Sequence, residues 1–255
     1  MRPAGTALLA AALCLTAGGV AARTLGEVRA LGVISLCANP DALPHASRRA
    51  DKPGFQIEIA RALADALGVK LQVDWIVPRL RANLVNCDML LDTIAEPEVE
   101  RGPLRLSRPY QKSGVALALG RRHAAAQGFD ELPRGTRIGV MVNSLASKLL
   151  DQRGLATVPY VFENDMVADL AQGELEAGAV SPATIAYYVH EHPASGLSYV
   201  HAYEREPALR WTLAVGLRRS DEALVGAIDE ALSRMARDGS LARIYARYGV
   251  EYRAP

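Results

Sequence analysis

Short apolar runs alternate with amphipathic stretches along the chain. Val33-Ile34-Ser35-Leu36 reads as a strand and Asn39-Pro40-Asp41 as the loop after it. From about Gln56 to Leu67, the apolar positions Phe55, Ile59, Leu63 and Leu67 recur every four residues. That is helical spacing, and Gly68 supplies the stop. Lys70 to Trp75 alternates apolar and polar, as a half-buried strand does, and Met89-Leu90-Leu91 predicts a third strand. This order implies an open α/β sheet with sites at the carboxyl ends of its strands.

The same grammar begins again in the middle. Val115 to Leu119 is apolar and extended, and Gly120 to Pro133 reads as linker and turn. Arg137 to Val142 is a predicted strand, and Asn143-Ser144 caps a helix running to about Gln152. Tyr160-Val161-Phe162 predicts a strand, and Asp165 a cap for a helix ending at Gly173. Ala177 to Val180 and Leu213 to Leu217 predict strands, and Pro182 opens a helix between them. After Ser220-Asp221-Glu222 comes a helix whose stripe is Leu224, Ile228, Leu232 and Met235. Asp238-Gly239 ends it, and a last short helix carries Leu241, Ile244, Tyr245 and Tyr248.

Two α/β units follow, the second inserted into the first through extended segments near Leu117 and Leu213. The expected lobes are 23–117 with 213–255, and 118–212, joined by a two-strand hinge. A cleft between lobes is the default ligand site, and hinge closure is its expected motion.

Arg2, the apolar run Ala7–Leu15 and the small residues up to Ala22 match a secretory signal peptide spanning 1–22. The run is too short for a membrane span. A soluble, periplasmic protein is expected. The 255 residues carry 29 Lys and Arg against 28 Asp and Glu, and this balance argues against a nucleic-acid partner. Two cysteines remain after cleavage, Cys37 and Cys87. An oxidising compartment permits their pairing, but parallel neighbouring strands would place them at opposite ends, so pairing stays open. The spacing of His190-Glu191-His192 does not suit two metal ligands on a helix, and a solvated surface is expected there. No nucleophile elbow, phosphate loop or cysteine–base pair is present in the sequence, so neither catalysis nor a cofactor is expected.

Several segments in order resemble the bacterial extracellular solute-binding proteins of the amino-acid type, family 3. They are Cys37-Ala38-Asn39-Pro40 through Pro44, Gly54 to Ala60, Cys87-Asp88-Met89-Leu90-Leu91, Ser107-Arg108-Pro109-Tyr110, Gly173 to Ala177, and Asp238-Gly239 with Tyr248-Gly249. The resemblance implies a type II periplasmic-binding-protein fold. It further implies a monomeric, non-enzymatic receptor that captures a small polar solute for the membrane subunits of an ABC transporter. Leu36 to Pro40, Gly54-Phe55 and Cys87-Asp88 also resemble a branch associated with quinoprotein (PQQ) alcohol dehydrogenases, which includes the J proteins of methanol oxidation. That narrower likeness implies a periplasmic dehydrogenase or its cytochrome as partner.

The resemblance assigns cleft positions. The first lobe would hold ligand through Asn39, Asp41 and Pro44, and through Asp92, Thr93 and Ile94. Arg101 is the nearest candidate for the family's carboxylate-binding Arg, and acids at 96, 98 and 100 compete for it. The second lobe would close with Asn143, Ser144 and Ser181. Ser181 stands where the family has an ammonium-binding Asp, and a neutral Ser cannot compensate a cation. His45 is the ring nearest the expected aromatic wall.

Overall fold

The computed structural model describes residues 23–76, 87–95, 104–218 and 220–255. The first stretch holds α1 (Leu25–Leu31), β1 (Val33–Ala38), β2 (Asp41–Ala42), β3 (Ala46–Ser47), α2 (Phe55–Leu67) and β4 (Lys70–Trp75). Next come β5 (Met89–Ile94), β6 (Leu104–Leu106), β7 (Gln111–Gly114), β8 (Ala116–Leu119), β9 (Ile138–Met141), α3 (Leu145–Gln152), β10 (Thr157–Tyr160), α4 (Glu163–Gln172), β11 (Ala177–Val180) and α5 (Pro182–Glu191). The chain finishes with β12 (Ser198–Val200), β13 (Arg210–Arg218), α6 (Glu222–Arg237) and α7 (Ser240–Ala246). One sheet has the order β4-β1-β5-β13-β6 with β7 also on β13, and the other the order β10-β9-β11-β8-β12. The expected leader 1–22 lies outside the described residues.

In the first sheet, β1 pairs in parallel with both β4 and β5. Phe55, Ile59, Leu63 and Leu67 of α2 are buried against it, together with Leu224, Ile228, Leu232 and Met235 of α6. The two helical stripes read from the sequence are therefore the core of this lobe. In the second lobe β8 is buried on both faces. Leu117 and Leu119 pack with Ile138, Val140 and Leu150, while Ala116 and Ala118 face Met166, Leu170 and Ile185. Alternation along a strand sends neighbours to opposite faces, so helices cover this sheet on both sides.

Two local expectations change. The strand expected at Tyr160-Val161-Phe162 lies earlier, because Thr157–Tyr160 pairs residue by residue with Ile138–Met141. It is an edge strand, which tolerates Pro159. Pairing stops where β9 stops, leaving Val161 and Phe162 54% and 53% exposed. The helix after it starts from Phe162 without a side-chain cap, and Asp165 sits in its first turn, where the helix dipole favours an acid.

Cys37 and Cys87 form a disulfide with Cα atoms 5.5 Å apart. Leu36 faces Met89, so a straight strand would carry Cys87 back beside Ile34. Cys87 instead lies off the strand, in a buried group with Cys37 and Ile76. Asp88 fixes this entry. Its Oδ2 accepts from the Ser35 backbone N–H at 2.7 Å, the Ser35 hydroxyl at 2.9 Å and Arg23 at 2.8 Å.

The chain crosses between lobes from β7 to β8 and returns on β13. Gln111–Gly114 pairs with Leu213–Arg210, so the two crossing strands lie side by side. The lobes also touch along α5. Ala183 and Ala186 join the core of the first lobe beside Tyr110, Tyr248 and Val250. Glu191, from the run expected to be a solvated surface, pairs with Lys52 across the lobes at 2.5 Å. Gly249 passes under His190 so closely that a Cβ there would lie 2.3 Å from the His190 Cβ.

Candidate ligand cleft between the lobes

Asp92 reaches the cleft because its strand bulges. The β5–β13 register shifts between Ala214 and Gly216, and Asp92 takes the left-handed conformation at φ 56°. A bulge of this kind re-aims a side chain, and Asp is among the residues that tolerate positive φ. Gly216 makes room opposite, since a Cβ there would sit 2.7 Å from the Thr93 hydroxyl.

The Asp92 carboxylate is 13% exposed and fully engaged. The Tyr110 hydroxyl donates to Oδ1. Gln56 Nε2 donates to Oδ2 at 2.7 Å, and His45 Nδ1 lies 3.3 Å from the same oxygen. Burial pushes the carboxyl up, but the bonds and charge from His45, with Tyr110 and Gln56, outweigh it and hold Asp92 below the usual carboxylate range. Burial, then the Asp92 charge, pushes the Tyr110 hydroxyl well above its ordinary value, so it stays a donor. Gly54 lets the turn close here, because a Cβ would lie 2.4 Å from the His45 carbonyl oxygen.

Facing this group is the start of α5. Glu163 of α4 caps it, its Oε1 accepting from the Ser181 N–H at 2.9 Å and its Oε2 from the Thr184 hydroxyl at 2.6 Å. The positive end of α5 is thus already satisfied by an internal carboxylate. The third wall comes from the crossing strands and the last residues. The Lys112 N–H donates to the Arg253 carbonyl at 2.8 Å, laying the tail along β7. Arg253 pairs with Glu204 and, at 2.9 Å, with Glu251. Burial, then the charge of Arg253, pushes His201 below its ordinary value.

These parts enclose a cavity of about 40 Å³, lined by both lobes and the crossing strands. Ligand pockets typically start near ~300 Å³, so the two lobes leave little room between them here. A wider depression of about 330 Å³ lies at the opposite end of the second sheet, between Arg121 and the last turn of α4. It belongs to one lobe, whereas lobe closure can act on a ligand in the shared cavity.

Of the positions assigned from the sequence, Asp92 and Ser181 line this cavity, and so does His45. Asn39 accepts from the Asp41 N–H at 3.0 Å in its own turn, and the Pro44 carbonyl accepts from the Phe55 N–H at 2.9 Å. Thr93 and Ile94 pair with Ala214 and Leu213 in the sheet. Asn143 is left-handed at φ 59°, and Ser144 caps α3 by accepting from the Ser147 N–H at 3.0 Å. These residues stand at cleft-side strand ends without lining the cavity. Arg101 lies outside the described residues. Lys112, His201, Glu251 and Arg253 line it and were not singled out from the sequence. They come from a crossing strand, a loop and the tail, where no local pattern marks them.

Residues 34–251 match the profile of the bacterial extracellular solute-binding proteins, family 3. The chain belongs to this family. It is 25% identical to a probable histidine-binding protein of Neisseria gonorrhoeae, over 76% of this chain and 74% of that one. It is 23% identical to a probable amino-acid ABC transporter-binding protein of Haemophilus influenzae, over 75% and 74%. A membrane-bound lytic murein transglycosylase F of Pseudomonas putida is 26% identical over 94% of this chain and 51% of its own length, so an enzyme shares the module. The structure of an ancestral cationic amino acid solute-binding protein superimposes with a TM-score of 0.73 at 19% identity, over 88% of this chain and 98% of that one. The family 3 member described here therefore has the two-lobed type II binding-protein fold and a solute-binding function. These relatives support the solute-receptor expectation and not the quinoprotein one.

Proposed function

We propose that this family 3 protein is a periplasmic receptor that captures a small polar solute between its lobes and presents the closed form to ABC transporter membrane subunits. One observation carries the reading: a single cavity is lined by Asp92 from the first lobe, Ser181 from the second and Lys112 from a crossing strand. A ligand touching all three stabilises closure, and closure is what a membrane partner can read. The Haemophilus relative's name supports the transporter. The leader expected at 1–22 and the Cys37–Cys87 disulfide, which needs an oxidising compartment, support the location. The role is binding without turnover, since the buried carboxylate already holds three donors and is no free base.

A thermal-shift screen of the mature protein against amino acids, organic acids, polyamines and short alcohols tests this. A ligand that binds the native state alone raises the melting temperature, by an amount that grows with concentration. A rise with one chemical class is expected. No rise with any of them would overturn the reading.

A further inference from the structure

The polar groups around the cavity are unequally engaged, and the imbalance points to the ligand. Each nearby acid already has partners. Asp92 holds His45, Gln56 and Tyr110. Glu251 Oε2 lies 2.9 Å from Arg253 and 3.7 Å from His201. Glu163, behind Ser181, is held by the start of α5.

The donors are different. Among the described residues Lys112 has no carboxylate partner, and its ammonium lies 5.8 Å from the centre of the Tyr203 ring. The hydroxyls of Ser113 and Ser181 make no hydrogen bond within the described residues. The Nδ1 atom of His201 is buried without a partner. Such a set accepts a negative charge. Among the described residues, an ammonium entering here would meet Lys112 and find no unengaged acid, and an unpaired charge in a closed cleft is costly.

We propose that the cavity takes a small carboxylate lacking an amino group, with Lys112 pairing its charge and Ser113, Ser181 and His201 taking its other polar atoms. This rests on the solute-receptor reading and names its ligand class. The 40 Å³ available exceeds the ~10–15 Å³ that one water needs, so a ligand of a few atoms fits the closed form and a larger one requires the lobes to part.

Calorimetric titration of the mature protein with propionate, lactate and succinate, and in parallel with alanine, serine and lysine, decides it. The acids are expected to bind. The amino acids are expected to bind at least tenfold more weakly. Lys112→Gln is expected to weaken the acids by about tenfold or more, with Lys112→Arg retaining binding and both variants melting near the wild type. Amino acids binding while the acids stay silent would overturn the inference and leave the receptor reading standing. Silence from both series would overturn the inference, and the receptor reading falls with it if the polyamines and short alcohols of the thermal-shift screen are silent too. Acids binding Lys112→Gln as well as the wild type would overturn the anchor assigned to Lys112.

Discussion

Tyr110 and Asp92 are joined twice: the Tyr110 hydroxyl donates to the Asp92 carboxylate and accepts the Asp92 backbone N–H at 3.2 Å. One oxygen therefore fixes both the bulged backbone and the side chain it aims at the cleft. Tyr110 is 3% exposed, so water cannot replace it without repacking.

Tyr110→Phe keeps the ring and removes both bonds. A bond to a buried charge contributes about 1.5–3 kcal/mol, and a loss of that order is expected in urea denaturation with an unchanged m value. A loss below ~0.5 kcal/mol would mean that Asp92 finds another donor.

The same carboxylate sets a pH dependence. Its folded-state value is below the unfolded one, so the native state binds fewer protons between the two. Its contribution is fully present above about pH 4 and is lost as pH falls through the folded-state value. Acid unfolding followed by circular dichroism should show this fall, and Asp92→Asn should flatten it while lowering stability at neutral pH. An unchanged acid limb in the variant would count against the assignment.

The fold was legible in the sequence wherever a local pattern met a core. The four-residue repeat of α2 and the α6 stripe both became buried faces. The end of β10 was misplaced because register is set by β9, a non-local partner. Cysteine pairing stayed open because it depends on how the chain enters β5. The cleft was legible only through Asp92, Ser181 and the ring of His45. Lys112, His201 and Arg253 converge from segments up to 141 residues apart, and no spacing along the chain announces that.

The Cys37–Cys87 bridge closes a loop across 50 positions of sequence. Cross-links of this kind typically contribute about 2–4 kcal/mol by restricting the unfolded chain. Replacing both with Ser should lower the unfolding midpoint accordingly, and reductant should act on the wild type but not on the double variant. Equal sensitivity of both would show that the thiols are unpaired.

Gly249 passes tightly beneath His190 where the lobes meet. Gly249→Val adds a branched side chain at φ 66° and drives it into α5. A lower melting temperature and a larger radius of gyration by small-angle X-ray scattering are expected. An unchanged radius would mean that α5 yields without parting the lobes.

The position of β13 between β5 and β6 has a bearing on how the chain acquires its shape. The second lobe's sheet comes from one contiguous stretch, 116–200, and can assemble from local pieces. The first lobe must hold two unpaired strand edges until a strand more than a hundred residues downstream arrives between them. Such distant pairing is slow, and open edges invite association with other chains. The first lobe is therefore the late and vulnerable half of the newly made chain, and the half a holding chaperone would protect.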